Sequence, residues 1–167
     1  MSYQTVLRSV EGAVGVVSLN RPETLNAITA EMAGEIEECI NGFGRDPSVR
    51  AVVLAAEGKN FCSGGDLKRM REGLGDDPGA FFRATVPALN ATVLAIRRIP
   101  KPVVAAVQGV AAGAGMNLAL ACDIRLASED ARFIEAFVNV ALVPDAGGTY
   151  FLPRIVGWGR AMELMLT

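Results

Sequence analysis

Two stretches of this chain are built like places where a ligand meets bare backbone: Phe61-Cys62-Ser63-Gly64-Gly65-Asp66 and Gly109-Val110-Ala111-Ala112-Gly113-Ala114-Gly115-Met116. Each follows a short apolar run and precedes a helical one, so each reads as a strand-loop-helix junction. A helix start leaves backbone N–H groups unpaired and carries the positive end of the helix dipole. Glycine there permits unusual dihedrals and lets a ligand approach the main chain. If neighbours in space, two such junctions supply a pair of fixed donors for one oxyanion. The same glycines would serve tight turns and close helix–sheet packing, and spacing alone leaves both readings open.

The composition narrows what chemistry could accompany those amides. The chain has no histidine. Ser-His-Asp and Cys-His catalysis, His-ligated metals and imidazole proton shuttles are therefore excluded together, leaving carboxylates, Tyr, Lys or Cys. Cys39, Cys62 and Cys122 are odd in number and far apart, which indicates neither a disulfide framework nor a thiolate metal site, so no metal is expected. A net charge of −2 offers no basic field for phosphate backbones, and nucleic acid is not expected as a partner. The P-loop, the dinucleotide glycine fingerprint and the G-x-S-x-G elbow are all missing, since Gly58-Lys59 continues with Asn60 and Gly113-Ala114-Gly115 continues with Met116. No secretory signal is read at the N-terminus, and a reducing cytoplasm is the expected compartment.

The elements that must hold the two junctions follow from periodicity. With 167 residues, 51% of them apolar, the chain suits one domain over 1–167. Thr5 to Val10 and Val14 to Leu19 read as a hairpin. A helix follows with Thr29 as its N-cap, Glu31 in its first turn, an apolar face of Met32, Ile36, Cys39, Ile40 and Phe43, and a stop at Gly44. Ala51 to Ala56 has the continuous apolar pattern of a strand covered on both faces. Asp66 could cap a short helix. Gly73, Gly75, Asp76, Asp77, Pro78 and Gly79 read as a mobile loop, and a helix is expected from Pro87 to Arg98. Val103 to Cys122 is apolar enough to raise a membrane span, but its glycines and β-branched start favour a buried strand, a glycine turn and a helix resuming near Met116. Ile124 to Ala127 reads as a strand and Arg160 to Thr167 as a helix, giving an α/β layer architecture.

On Asn20 to Thr29 (NRPETLNAIT), Val52 to Met70, Lys101 to Ser128 and Phe137 to Gly157, the sequence resembles the crotonase, or enoyl-CoA hydratase/isomerase, superfamily. The resemblance implies the crotonase (ClpP-like) superhelix of ββα units, with the family's C-terminal helical part absent from this chain. It implies an acyl-CoA thioester as partner, with no cofactor beyond the coenzyme A of the substrate, no membrane and a homotrimer or hexamer. The backbone amides of Gly65 and Ala114 match the family's oxyanion hole. Coenzyme A and the acyl group would pass Leu25, Ala27, Ser63, Gly64, Asp66, Leu67, Met116, Asn117 and Phe137.

Which reaction is implied turns on the acid-base residues. Hydratases of the family use two glutamates, and the matching positions here are Asn117 and Phe137, which cannot exchange a proton usefully. Asp145 matches the catalytic aspartate of dienoyl-CoA isomerases and of the ring-opening epoxyphenylacetyl-CoA isomerases, so isomerisation of an enoyl-CoA thioester is expected, with phenylacetate or fatty acid metabolism as the setting. The apolar neighbours Val140, Ala141, Leu142 and Val143 would raise its pKa by desolvation. A helix N-cap before Gly147 and Gly148 is the plain alternative role for Asp145. Hydration of 2-enoyl-CoA and non-catalytic acyl-CoA binding are the rival functions. Cys62 reads as a small buried residue, Glu135 as solvated, and Met70, Phe81, Phe82, Met116 and Phe137 as possible acyl-pocket residues.

Overall fold

The computed structural model of the chain describes residues 3–73 and 77–167, apart from the side chains at 78 and 84. β1 (Val6–Glu11) and β2 (Val14–Leu19) form an antiparallel hairpin across Gly12, whose φ of +60° explains the glycine. β3 (Ala51–Ala56), β4 (Val103–Val107) and β6 (Ile124–Ala127) extend it in the order β1-β2-β3-β4-β6, every pairing after the first being parallel. A second, two-stranded parallel sheet pairs β5 (Val110–Ala112) with β7 (Arg132–Ile134).

α1 (Ala30–Arg45) begins where expected, with the Thr29 side chain accepting from the Met32 N–H at 3.1 Å. It buries Met32, Ile36, Cys39, Ile40 and Phe43, all 0% exposed, against the hydrophobic core. Gly44 does not end it; the helix runs one residue on and is capped at Asp46. α2 (Leu67–Gly73) is capped by the Asp66 side chain, which accepts from Arg69 N–H at 3.1 Å.

The reading of 73–79 as one loop needs correction. Gly73 closes α2 and Pro78 opens α3 (Pro78–Arg98), while Gly75 and Asp76 lie outside the described residues. α3 therefore starts nine residues before Pro87, which sits inside the helix. Proline there removes the bond to the Arg83 carbonyl. The helix continues through it because Asp77 caps the start, accepting from Ala80 N–H at 3.2 Å, and because the second half packs on α1, where Thr92 Oγ1 donates to the Ala33 carbonyl at 2.7 Å. Tertiary packing overrides local propensity here.

The apolar segment 103–122 is broken up as β4, β5 and α4 (Ala114–Ala121), so no continuous helix spans it; β5, and α4's start at Ala114 rather than near Met116, were not anticipated. Every residue of α4 is buried. Among the described residues, α3 is the helix long and apolar enough to cross a membrane by length and composition. A single-turn 3₁₀ helix (Ala136–Val140), α5 (Gly148–Val156) and α6 (Trp158–Leu166) complete the chain, α6 starting two residues earlier than its polar start at Arg160 suggests. Met116, Leu120, Leu152 and Ala161 join α4, α5 and α6 in a small second core.

Candidate active site

The two glycine junctions meet. Cys62 N–H donates to the Val110 carbonyl at 3.0 Å and Ala112 N–H to the Cys62 carbonyl at 2.8 Å, so the first junction is laid alongside β5. Gly115 opens the way for α4 to start against it: a Cβ at 115 would fall 2.5 Å from the Cys62 carbonyl oxygen and 2.6 Å from its sulfur. Gly64, at φ +101°, is equally constrained, since a Cβ there would lie 2.9 Å from the Ala112 oxygen and 3.6 Å from the Ala114 nitrogen. These glycines serve both turn geometry and close packing, and the packing is what brings the junctions together.

The bonding around them leaves two amides over. Ile28 N–H donates to the Gly64 carbonyl at 2.7 Å and Asp66 N–H to the Ile28 carbonyl at 3.1 Å, while Gly113 N–H donates to the Ile134 carbonyl at 2.8 Å. Among the described residues, neither the Gly65 nor the Ala114 N–H donates to any protein group. Gly65 and Ala114 line one cavity of about 410 Å³. Ala114 is also the first residue of α4, where the helix dipole adds its positive end.

The same cavity carries an acid. Asp145 lines it, and one oxygen of its carboxyl, Oδ1, is buried without a hydrogen-bond partner. Burial pushes its pKa up to about 6, an effect only partly offset by its own backbone N–H. The capping role does not materialise: the N-cap of α5 is Gly147, at φ +79°, and Asp145 meets that helix through its main-chain carbonyl, which accepts from Gly148 N–H at 2.8 Å. Ala146, directly after it, is held at φ +47° and Ala141 at φ +55°. Left-handed alanines cost on the order of 1–2 kcal/mol each, a strain that clusters at sites the surrounding structure over-determines.

Met70, Phe81, Phe82, Val86, Leu89 and Phe137 give the cavity an apolar lining. Met116 does not join them; it is buried against Leu152 on the far side of α4. Asn117, 0% exposed, is also absent from the cavity wall and instead donates from Nδ2 to the Asp145 carbonyl at 3.0 Å. Both were expected to contact the ligand. An i, i+1 pair on a helix cannot be assigned a face from the sequence when all of the helix is apolar and buried.

Ser63, Gly65, Asp66, Leu67 and Arg69 also border a second cavity of about 500 Å³, together with Ala27, Arg21 and Lys68. Leu25 borders neither and is half exposed; it acts through its carbonyl, which accepts from Ser63 N–H at 3.0 Å. Asp66 is engaged already. Burial alone would raise its pKa, but the Arg69 N–H and the Arg21 guanidinium, 3.0 Å away, hold it below the ordinary carboxylate range. Arg21 also donates to the Ala27 carbonyl at 2.6 Å, tying the 20–27 loop to the start of α2. The Cys62 thiol is fully buried and pushed up to about 12, which leaves no thiolate for nucleophilic attack.

Glu135 departs most from expectation. It is 3% exposed rather than solvated, and both its carboxyl oxygens are buried without hydrogen-bond partners. Its signal in the sequence is a lone carboxylate in the apolar run Phe133-Ile134-Glu135-Ala136-Phe137. Burial, and after it the charge of Asp145, push its pKa up to about 7 against a lowering contribution from Asn117.

Two unpaired main-chain donors facing a cavity with one desolvated carboxyl, on a ββα scaffold, define a protein fit to bind a polarised carbonyl compound and move a proton beside it. The family model for enoyl-CoA hydratase/isomerase matches residues 9–167, and the chain belongs to that family. It is 42% identical to 1,2-epoxyphenylacetyl-CoA isomerase of Escherichia coli over 162 residues, 96% of this chain and 62% of that protein. It is 38% identical to trans-2-decenoyl-[acyl-carrier-protein] isomerase of Streptococcus mutans, covering 100% of this chain and 64% of the relative. The crystal structure of an enoyl-CoA hydratase from a Polaromonas species superposes with a TM-score of 0.91 at 37% identity, over 96% of this chain and 62% of that one. The architecture is thus that of the crotonase fold, and the chain spans a little over three-fifths of the length of these relatives.

Proposed function

We propose that this chain forms the core of an enoyl-CoA isomerase. The observation that carries the reading is that Gly65, Ala114 and Asp145 line one cavity, the first two with unengaged N–H groups and the third with a desolvated carboxyl. The thioester carbonyl oxygen would accept from the Gly65 and Ala114 amides. Asp145 would take a proton from a carbon next to the thioester; the C–H bonding pair passes through the conjugated system onto the oxygen as an enolate. The protonated Asp145 then returns that proton to a different carbon of the same system, and the electron pair falls back to leave the double bond moved by one position. No atom is gained or lost. A base with a pKa near 6 is ionised at neutral pH yet strong enough to take and give back a proton.

Relatives bear both isomerase and hydratase names, so the choice between the two reactions rests on the residues of the site. The absence of a carboxylate at 117 and 137 supports isomerisation, since water addition needs one group to activate water and another to protonate carbon. The acyl group would occupy the apolar cavity. Coenzyme A would follow the second cavity, whose Lys68 and Arg69 suit its phosphates. A homotrimeric or hexameric assembly in the cytoplasm, with phenylacetate catabolism as the setting, completes the proposal.

The test uses the complete protein and a panel of 2-enoyl, 3-enoyl and dienoyl thioesters, followed by mass and by double-bond position. Movement of the double bond without mass change, falling by about 10²–10⁴ in kcat for Asp145→Asn, is the expected result. Mass gain of one water at a high rate, or full turnover in Asp145→Asn, would overturn it. Tight thioester binding with no conversion would instead favour a binding protein.

A further inference from the structure

Behind Asp145 lies a second acid that the proposed reaction does not use. Glu135 sits at the entry to the 3₁₀ turn after β7, 97% removed from solvent, and does not reach the cavity surface. Three carboxyl oxygens in this small volume, both of Glu135 and Oδ1 of Asp145, are buried without partners, as is Oδ1 of Asn117. The Asn117 amide, which donates to the Asp145 carbonyl and bears on Glu135, is too little for this many acceptors in a closed site, where unmet acceptors and paired like charges are both costly. One proton relieves both problems. A carboxylic acid has an O–H to give, and the orphaned oxygens around it are the acceptors it would serve.

We infer that Glu135 is a positioning residue which retains a proton through the catalytic cycle, so that the inner site carries a single negative charge and that charge rests on Asp145. The inference rests on Asp145 being the base. Its physical content is a division of labour between two acids set by depth: Asp145 opens to the cavity, while Glu135 has only protein around it. The groups that act on Glu135 are few. Asp145 faces it from the loop before α5, and the Asn117 carboxamide faces it from α4; the other charged residues lining the cavity, Glu31, Asp66 and Arg69, belong to α1 and the start of α2 and do not act on it. Among the described residues no cation compensates it, so neutrality is the state its surroundings favour. The order of ionisation agrees, with Asp145 near 6 and Glu135 near 7.

Enolate formation adds negative charge to the cavity. With Glu135 protonated, that charge replaces the one Asp145 loses on taking the proton. With Glu135 ionised, a further charge is trapped beside it, and the rate drops. The pH profile of kcat in the complete protein should therefore be a bell, with an acid limb from Asp145 and an alkaline limb from Glu135. Glu135→Gln keeps the shape of the neutral acid and cannot ionise. It should leave kcat at pH 6 within about threefold of wild type and abolish the alkaline limb, so that the rate at pH 8.5 rises at least fivefold relative to wild type.

A readout independent of turnover is the infrared band of a protonated carboxylic acid at pH 6.5, expected at similar strength in the wild type and in Asp145→Asn and reduced severalfold in Glu135→Gln, where only the minor protonated fraction of Asp145 contributes. An alkaline limb unchanged in Glu135→Gln, or an acid band of undiminished strength in that variant, would overturn the inference. Should Asp145→Asn retain full turnover, the base assignment itself fails, whatever Glu135→Gln does; loss of turnover in Asp145→Asn with an unaltered profile in Glu135→Gln sinks only the role of Glu135.

Discussion

The two walls of the cavity are made by opposite means. One offers donors and has no functional side chain: Gly64, Gly65, Gly113, Ala114 and Gly115 contribute backbone, and their small size is what lets the first junction, β5 and the start of α4 lie in contact. The other offers a carboxyl, and everything special about it comes from what surrounds it: burial, a missing hydrogen-bond partner, a neighbouring acid and two left-handed alanines. The first wall is built by removing atoms, the second by removing water. A donor made from backbone tolerates no added volume nearby, whereas an acid made strong as a base by desolvation tolerates no added polarity.

The amide wall should therefore break hardest under a single methyl. Gly115→Ala would push a Cβ to 2.5 Å from the Cys62 carbonyl oxygen and 2.7 Å from its Cβ, contacts that neither backbone nor a buried thiol can yield to cheaply. Separation of the two junctions should cost about 1–3 kcal/mol of stability and remove nearly all turnover, because donors displaced by an ångström no longer converge. Thermal melting and kcat measured together check this; a variant with wild-type turnover would show that the junctions need not touch. Gly42→Ala on α1, with open space around its Cα, is the control and should leave both unchanged or slightly improved.

The carboxylate wall should show itself in the pH dependence of stability. Asp145 and Glu135 both have pKa values above those of the unfolded chain, so the folded state binds more protons than the unfolded state between about pH 4 and 7. For such groups the penalty is nil below the unfolded pKa and grows as pH rises through the folded value, so stability falls across that window. Glu135→Gln and Asp145→Asn should each flatten the fall. At pH 8 either variant should melt about 2–4 °C above wild type, the equivalent of roughly 1 kcal/mol in a chain of this size. Wild type and variants with parallel stability curves between pH 4 and 8 would mean the acids are better solvated than their surroundings indicate.

This difference between the walls also decides what the sequence reveals. Strands and α1 are written locally: alternation, the Thr29 cap and the Gly12 turn all act within a few residues, and each lies within a residue or two of its expected place. The amide wall is legible too, because glycine spacing is a local property. The carboxylate wall is not. Whether Glu135 is wet depends on Asn117 and Asp145, brought to it from α4 and from the loop before α5, and no periodicity in a three-residue strand reports that. Asn117 and Met116 lie off the cavity wall in a way the sequence does not report, because they sit on a helix buried on every side. Pro87 misled because proline marks a helix start by local chemistry, while Asp77 and the packing of Thr92 on α1 set the real limits.

The smallest effect separates strain that positions from strain that is incidental. Ala141 and Ala146 share the left-handed conformation, at φ +55° and +47°, and flank the Asp145 loop on either side. Ala141 is exposed and Ala146 is 1% exposed. Glycine at 141 relieves a backbone penalty of about 1–2 kcal/mol and gives back about 0.4–1 kcal/mol through a freer unfolded chain, with no buried methyl lost. Ala141→Gly should thus raise the melting temperature by roughly 1–3 °C and leave kcat within twofold. Glycine at 146 additionally gives up a buried methyl worth about 0.8 kcal/mol, which cancels the gain in stability. It also loosens the residue next to the proposed base, so its mark should be a lowered kcat at unchanged melting temperature. If Ala141→Gly and Ala146→Gly instead behave alike in both measurements, the left-handed turn beside Asp145 is only a way of reaching α5, and it is burial alone that prepares the acid.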